Sequence, residues 1–272
     1  MSVIFGPHRF DAGEYDAAHA DEFRGAEFVV RDLRDARFVD CDLRGAKIVD
    51  ALLGGVDVSG YVEGLVVNGV DVTDYVAAEL DRRHPERVQL REIEDADGFR
   101  GMWDTVERLW AEADVRAERL PEEVRQERVG REWSYVETLR HLVFITDSWA
   151  SRTVLDEESP FHRLALPQTA FPAADAAALG IDLVARPSYD EVKQVLAGRR
   201  AVVRGIVEGL TDQDLGRPCL RSPAPGYPDE SRAVFECLAV VMEEECEHYR
   251  FATRDLAVLE TREGQSEKAA AG

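Results

Sequence analysis

Three side chains in this sequence carry donor atoms at spacings that suit a metal ion. Glu244 and His248 stand four residues apart in Glu243-Glu244-Glu245-Cys246-Glu247-His248-Tyr249-Arg250. Apolar Val234, Leu238, Val241 and Met242 precede this stretch, and Phe251, Leu256 and Leu259 follow it. Residues at i and i+4 project side by side from a helix, so a carboxylate and an imidazole would face one point. The competing reading is a solvated acidic face with one incidental histidine. His141, in Leu139-Arg140-His141-Leu142-Val143, offers a third donor, against a competing reading as a half-buried core histidine. Two imidazoles and one carboxylate are a common ligand set for zinc, nickel or iron, and they leave positions open for water or substrate. A divalent ion held this way lowers the pKa of a bound thiol or water and makes a nucleophile near neutral pH.

Long helices must position these groups. The first runs from about Asp95 to Leu120, with Phe99, Met102, Trp103, Val106, Leu109, Trp110 and Ala113 at helical spacing, and ends before Pro121. The second starts at Ser134, where Ser-Tyr-Val-Glu forms a capping box with Glu137, and continues to about Leu155. The third starts at Ser188 with Ser-Tyr-Asp-Glu, after a long connection over 156–187. The fourth covers about Ser231 to Glu260 and carries Glu244 and His248. Four amphipathic helices make a four-helix bundle, and the long connections point away from a simple up-down arrangement. Bundles build metal sites from inward side chains on facing helices.

The N-terminal part follows another period. Residues 1–20 carry few signals and two histidines, His8 and His19. From there Phe23, Phe28, Leu33, Phe38, Leu43, Ile48, Leu53 and Val58 fall every five residues, with small residues such as Ala26, Ala36, Cys41 and Ala46 two places before most of them. Neither a helix nor an alternating strand has a period of five. A coil with a corner at every fifth residue does, with the large residue inward and Cys41 in the core. Stretches such as Ala26-Glu27-Phe28-Val29-Val30 and Cys41-Asp42-Leu43-Arg44-Gly45 resemble the pentapeptide-repeat family. That resemblance implies a right-handed, four-sided β-helix, here of about two coils. Residues 73–83 read as a connecting helix with His84 in its C-terminal turn. The expected organisation is a β-helix over 1–70, a connecting helix and linker over 71–93, the bundle over 94–260, and a disordered polar tail over 261–272. The fold class is mainly α.

The stretches Glu132-Trp133-Ser134-Tyr135-Val136-Glu137-Thr138-Leu139-Arg140-His141-Leu142-Val143 and Glu243 to Ala252 resemble the DinB/YfiT-like superfamily, four-helix bundles that include mycothiol-dependent enzymes. The family pattern has one histidine on the second helix and a His-x-x-x-His on the fourth. His141 matches the first and His248 the last, while Glu244 replaces the middle histidine. The resemblance implies a metal that activates water or a small thiol such as mycothiol or bacillithiol, for S-transfer, isomerisation or hydrolysis. A pocket that has lost its metal and only binds a small molecule is the alternative. An acidic pentapeptide DNA mimic is a remote one, because two coils are short for it.

Around the ligands, Trp133 and Trp149 read as pocket wall or as core. Cys237 shares the face of Glu244 two turns earlier. Arg140, Arg152 and Arg250 read as surface arginines, or as binders of a substrate carboxylate. No nucleophilic triad is completed by Cys237 or Cys246.

A net charge of -21 over 272 residues argues against wrapping of nucleic acid, which requires a basic surface. No apolar run approaches a membrane span, and the start lacks the layout of a signal peptide. The four cysteines, at no zinc-like spacing, are expected as reduced thiols, which fits a cytoplasmic protein. Arginine dominates the basic residues and Asn68 is the sole asparagine, an actinobacterial-type, high-GC composition. The expected partner is a small-molecule substrate, and a free bundle face suits a homodimer.

Overall fold

The 3.6-residue apolar period becomes helix along most of the chain. The structure, a computed structural model, describes residues 23–270 apart from Asp40, Ala170, Pro228 and Asp229. Residues 1–22, with His8 and His19, lie outside the described residues. Two compact units are present: residues 23–73 with Gly226 and Tyr227, and the helical remainder.

In the helical unit, α1 (Thr73–Arg83) and α2 (Glu86–Arg91) come first. His84 follows α1 and donates its N–H to the Leu80 carbonyl at 2.8 Å, the C-terminal turn expected of it. Helix α3 (Ala96–Ala117) is capped by Asp95, whose side chain accepts from the Gly98 N–H. It buries a stripe of Phe99, Met102, Trp103, Val106, Trp110 and Ala113. After the short α4 (Glu122–Arg125), α5 (Tyr135–Ile145) starts with the Ser134–Glu137 capping box. Every residue of α5 is buried. It runs directly into a π-helical segment, Thr146–Val154, in place of the ordinary helix expected to Leu155. The long connection holds α6 (Ala173–Ala178), and Ser188 then caps α7 (Tyr189–Gly209) with its own box to Glu191. Beyond α8 (Asp212–Leu215), β3 (Pro218–Cys219) pairs antiparallel with β4 (Arg232–Ala233), which leads into α9 (Val234–Ala270).

Helix α3 packs against α7 and α9, and so do α5 and its π segment. Helices α3 and α5, consecutive long helices of the chain, therefore face each other across the core, as do α7 and α9. That order needs crossing connections, and the up-down hairpin arrangement is absent as expected. One expectation fails. Residues 261–270 are not a disordered tail but continue α9 to Ala270. The stretch contains no proline and is built mostly from good helix formers, and Arg262 pairs with Glu127 at 2.5 Å. No described helix is long and apolar enough to cross a membrane.

The smaller unit keeps the five-residue period in its backbone. Left-handed residues recur at Gly25, Val30, Asp35, Gly45, Asp50 and Gly55. Tight turns close every ten residues through N–H bonds from Ala26, Ala36, Ala46 and Val56 to the residue three before. The interior does not close. The large residues of the period are about half to two-thirds exposed, and among the described residues no strand pairs before β1 (Val66–Val67) and β2 (Val70–Asp71). Cys41, expected in the core, is exposed, and its thiol donates to the Val39 carbonyl. Repeats of this kind bury side chains by stacking on neighbours, and eight units offer few neighbours.

Candidate metal centre

The capping box at Ser134 fixes where α5 begins and hence which way His141, two turns later, projects. His141 is fully buried. Its Nδ1 lies 2.8 Å from the carbonyl oxygen of Leu166, an acceptor with no proton of its own, so Nδ1 carries the hydrogen and donates. In the neutral ring Nε2 then carries the lone pair, and it faces α9. There Glu244 and His248 sit one turn apart with 24% and 16% of their side chains exposed. Glu244 Oε2 lies 3.1 Å from His248 Nε2 and 3.6 Å from His141 Nε2. All three donor atoms lie within 4.8 Å of one another.

These separations suit an ion. Tetrahedral bonds of about 2.0–2.1 Å place neighbouring donor atoms about 3.3–3.4 Å apart, between the two distances found here. The charge also suits. Burial pushes the Glu244 carboxyl up, yet the two imidazoles outweigh it and hold it well below the usual carboxylate range. Glu244 is therefore anionic at neutral pH, as a ligand must be. The residues fit a divalent ion with one or more positions left open.

The rest of the acidic run is not a solvated face. Glu243 and Glu245 are buried, Glu245 almost completely. Burial raises the Glu245 carboxyl, partly offset by the Arg200 guanidinium 3.6 Å away, which itself stacks on Trp110. The family model of the DinB superfamily matches residues 105–252, which include all three donors. The chain belongs to the DinB superfamily. A protein of Streptococcus pneumoniae known from a crystal structure is 17% identical, over 64% of this chain and 96% of that one, with a TM-score of 0.43. No curated protein matches the chain.

Within this DinB-superfamily bundle, the residues expected to line a pocket part company. Trp133 comes to the centre. Its half-buried indole lies 4.6 Å from the His141 ring and 5.8 Å from the His248 ring, nearly parallel to the latter at 21°. Phe144 lies against His141, and Phe251 meets His248 edge-on. Trp149, Arg152 and Cys237 are not brought to the donors. Trp149 lies under Arg232, Arg152 donates to the Ser222 carbonyl at 2.9 Å, and Cys237 faces Cys219. Seven to eleven residues along a helix is roughly 10–16 Å, which separates them from the donors of their own elements.

Arg250 and Arg140 are each engaged in contacts of their own, and only Arg140 departs from its expected place. Arg250 pairs with Glu247 at 2.6 Å and lies over Phe251. Arg140 is no surface residue: it is 2% exposed and bonds three carbonyls of the 156–187 connection. Leu166 was not singled out by its sequence. Its one local signal is the following Pro167, which favours an extended Leu166.

Proposed function

We propose that this chain is a metal-dependent enzyme of the DinB superfamily that acts on a small molecule. The observation that carries the reading is the convergence of His141, Glu244 and His248 from two facing helices. They would hold zinc, nickel or iron, and when bound the ion would acidify a thiol or a water to a nucleophile. The reaction class we favour is S-transfer from a mycothiol-type thiol, with isomerisation or hydrolysis as its relatives.

The chain's own residues have defined parts. His141 offers Nε2 because Nδ1 is engaged by Leu166. Glu244 brings the negative charge that offsets a divalent cation. Trp133 covers both imidazoles on one side and limits water there. The acidic surface of a chain at -21 speaks for a small-molecule substrate rather than nucleic acid. Four free cysteines agree with a reducing cytoplasm.

The proposal extends to residues 1–70 as a short pentapeptide β-helix, supported by left-handed corners at five-residue intervals. Residues 71–93 then connect it to a catalytic bundle over 94–260, and a second copy is the proposed partner of a bundle face. The deciding experiment measures metal in the purified protein and in His141→Ala and His248→Ala. Stoichiometric metal lost in both variants is expected. A folded wild type that stays metal-free on addition of zinc, nickel or iron(II) would leave only a small-molecule-binding module.

A further inference from the structure

Arg140 precedes His141 on α5 and points away from it, since helical neighbours differ by about 100°. Its guanidinium is buried, and among the described residues no carboxylate is bonded to it. Nε donates to the Leu164 carbonyl at 2.8 Å, Nη1 to Ala185 at 3.0 Å and Nη2 to Asp182 at 3.0 Å. These carbonyls belong to two stretches of the connection between the π segment and α7, and the Asp182 N–H donates to the Arg163 carbonyl at 2.9 Å to tie the stretches together. One cation thus organises a loop that has little regular structure.

The main chain completes the dock. Leu166 donates its N–H to the Arg140 carbonyl at 3.0 Å and accepts from His141 Nδ1 at 2.8 Å. A single loop residue therefore joins the backbone of Arg140 to the side chain of His141. Pro167 restricts Leu166 to extended conformations, which steadies the direction of that carbonyl. An unconstrained neutral imidazole in water favours the opposite tautomer, with hydrogen on Nε2. That tautomer would direct an N–H, not a lone pair, at Glu244 and His248.

We propose that Arg140 is the positioning residue of this centre. It docks residues 164–166 on α5 so that the Leu166 carbonyl selects the Nδ1–H form of His141 and turns the Nε2 lone pair toward Glu244 and His248, where a metal would bind. The consequence for metal affinity rests on the reading of the triad as a metal site, whereas the tautomer does not.

The test reads the tautomer directly. Long-range 15N–1H spectra of chelator-treated protein at pH 8 are expected to show His141 in the Nδ1–H form. In Arg140→Met the Nε2–H form should appear, and zinc affinity should fall about tenfold or more, the scale of lost outer-shell partners. Pro167→Gly, which keeps the arginine but loosens Leu166, should shift the tautomer in the same direction, and it serves if Arg140→Met does not fold. Arg199→Met is the control for mere loosening. Arg199 bonds the Pro160 carbonyl and Asp147, holding the same connection at another point, so its loss should lower stability and leave the His141 tautomer unchanged. A folded Arg140→Met or Pro167→Gly with His141 still wholly Nδ1–H overturns the proposal, as does a wild type in the Nε2–H form. If the tautomer responds as expected but the wild type binds no zinc, the positioning stands and the metal reading fails.

Discussion

Glu244 Oε2 stands 3.1 Å from His248 Nε2, across one turn of α9, at the position where the family resemblance leads one to expect a histidine. The contact makes the carboxylate a partner of the imidazole, and on the proposed reading the same oxygen would be a ligand beside it once a metal is bound. Glu244→Gln keeps the shape and removes the charge. Losing outer-shell partners weakens metal binding about 10–100-fold, and losing a charged ligand should exceed that. Glu244→His should keep stoichiometric zinc, because an imidazole supplies an equivalent donor. Competition against a chromophoric chelator measures both. Equal zinc affinity in Glu244→Gln and wild type would remove Glu244 from the ligand set.

Binding confined to the native state must also stabilise it. Zinc at about 100 times its Kd adds roughly 2.7 kcal/mol, which for a domain of this size raises Tm by roughly 5–11 °C. Chelator should reverse the shift, and His248→Ala should show none. Differential scanning calorimetry with and without zinc checks it, and a shift of equal size in His248→Ala would place the ion elsewhere.

What could be read from the sequence follows from how local each signal is. Ser134 and Ser188 announce their helices because a capping box is complete within four residues, and both boxes form. Glu244 and His248 were readable for the same reason, since an i,i+4 pair needs only a helix. The environment of Glu243 and Glu245 was not, because it depends on which helices surround α9. Arg140 was misread because its partners are backbone carbonyls, which carry no residue identity. The π segment leaves composition unchanged, since only the hydrogen-bond register moves. Trp149 and Cys237 share helices with the ligands, but the rise along the axis carries them away. The five-residue period did set the corners of residues 23–60, whereas burial of its large side chains requires stacked neighbours.

Asp147 gives a pH dependence with a definite sign. It is wholly buried in the π segment, bonded to Arg199 at 2.6 Å and accepting the His162 N–H at 2.8 Å. Burial pushes its carboxyl up to about 6 despite Arg199. The ordinary value, near 3.8, applies to the unfolded chain. Between the two values the folded state holds the proton more tightly, so this group's contribution to stability falls as pH rises from about 4 to about 6 and is least favourable above 6. From pH 5 to pH 7.5 the change is roughly 1 kcal/mol. Asp147→Asn abolishes the titration, so its stability relative to wild type should improve by that amount over the same interval in urea unfolding. A relative stability that does not vary with pH would show that Asp147 does not titrate there.

Trp133 offers an optical reading of the centre. Of the four tryptophans, Trp103 and Trp110 lie fully buried in α3, Trp149 lies under Arg232, and Trp133 lies against both histidines, stacked on His248 and tilted to His141. A copper(II) or nickel(II) ion held by His141, Glu244 and His248 would sit within a few ångströms of that indole, the range at which such ions quench fluorescence strongly. Titration with nickel(II) should therefore quench part of the emission and saturate at one equivalent. Trp133→Phe should lose most of that quenching while still binding one nickel, because phenylalanine keeps the apolar cover and donates no ligand. His141→Ala should lose both the quenching and the ion. If Trp133→Phe instead retains the full quenching, the ion is bound nearer another tryptophan than the His141–Glu244–His248 cluster.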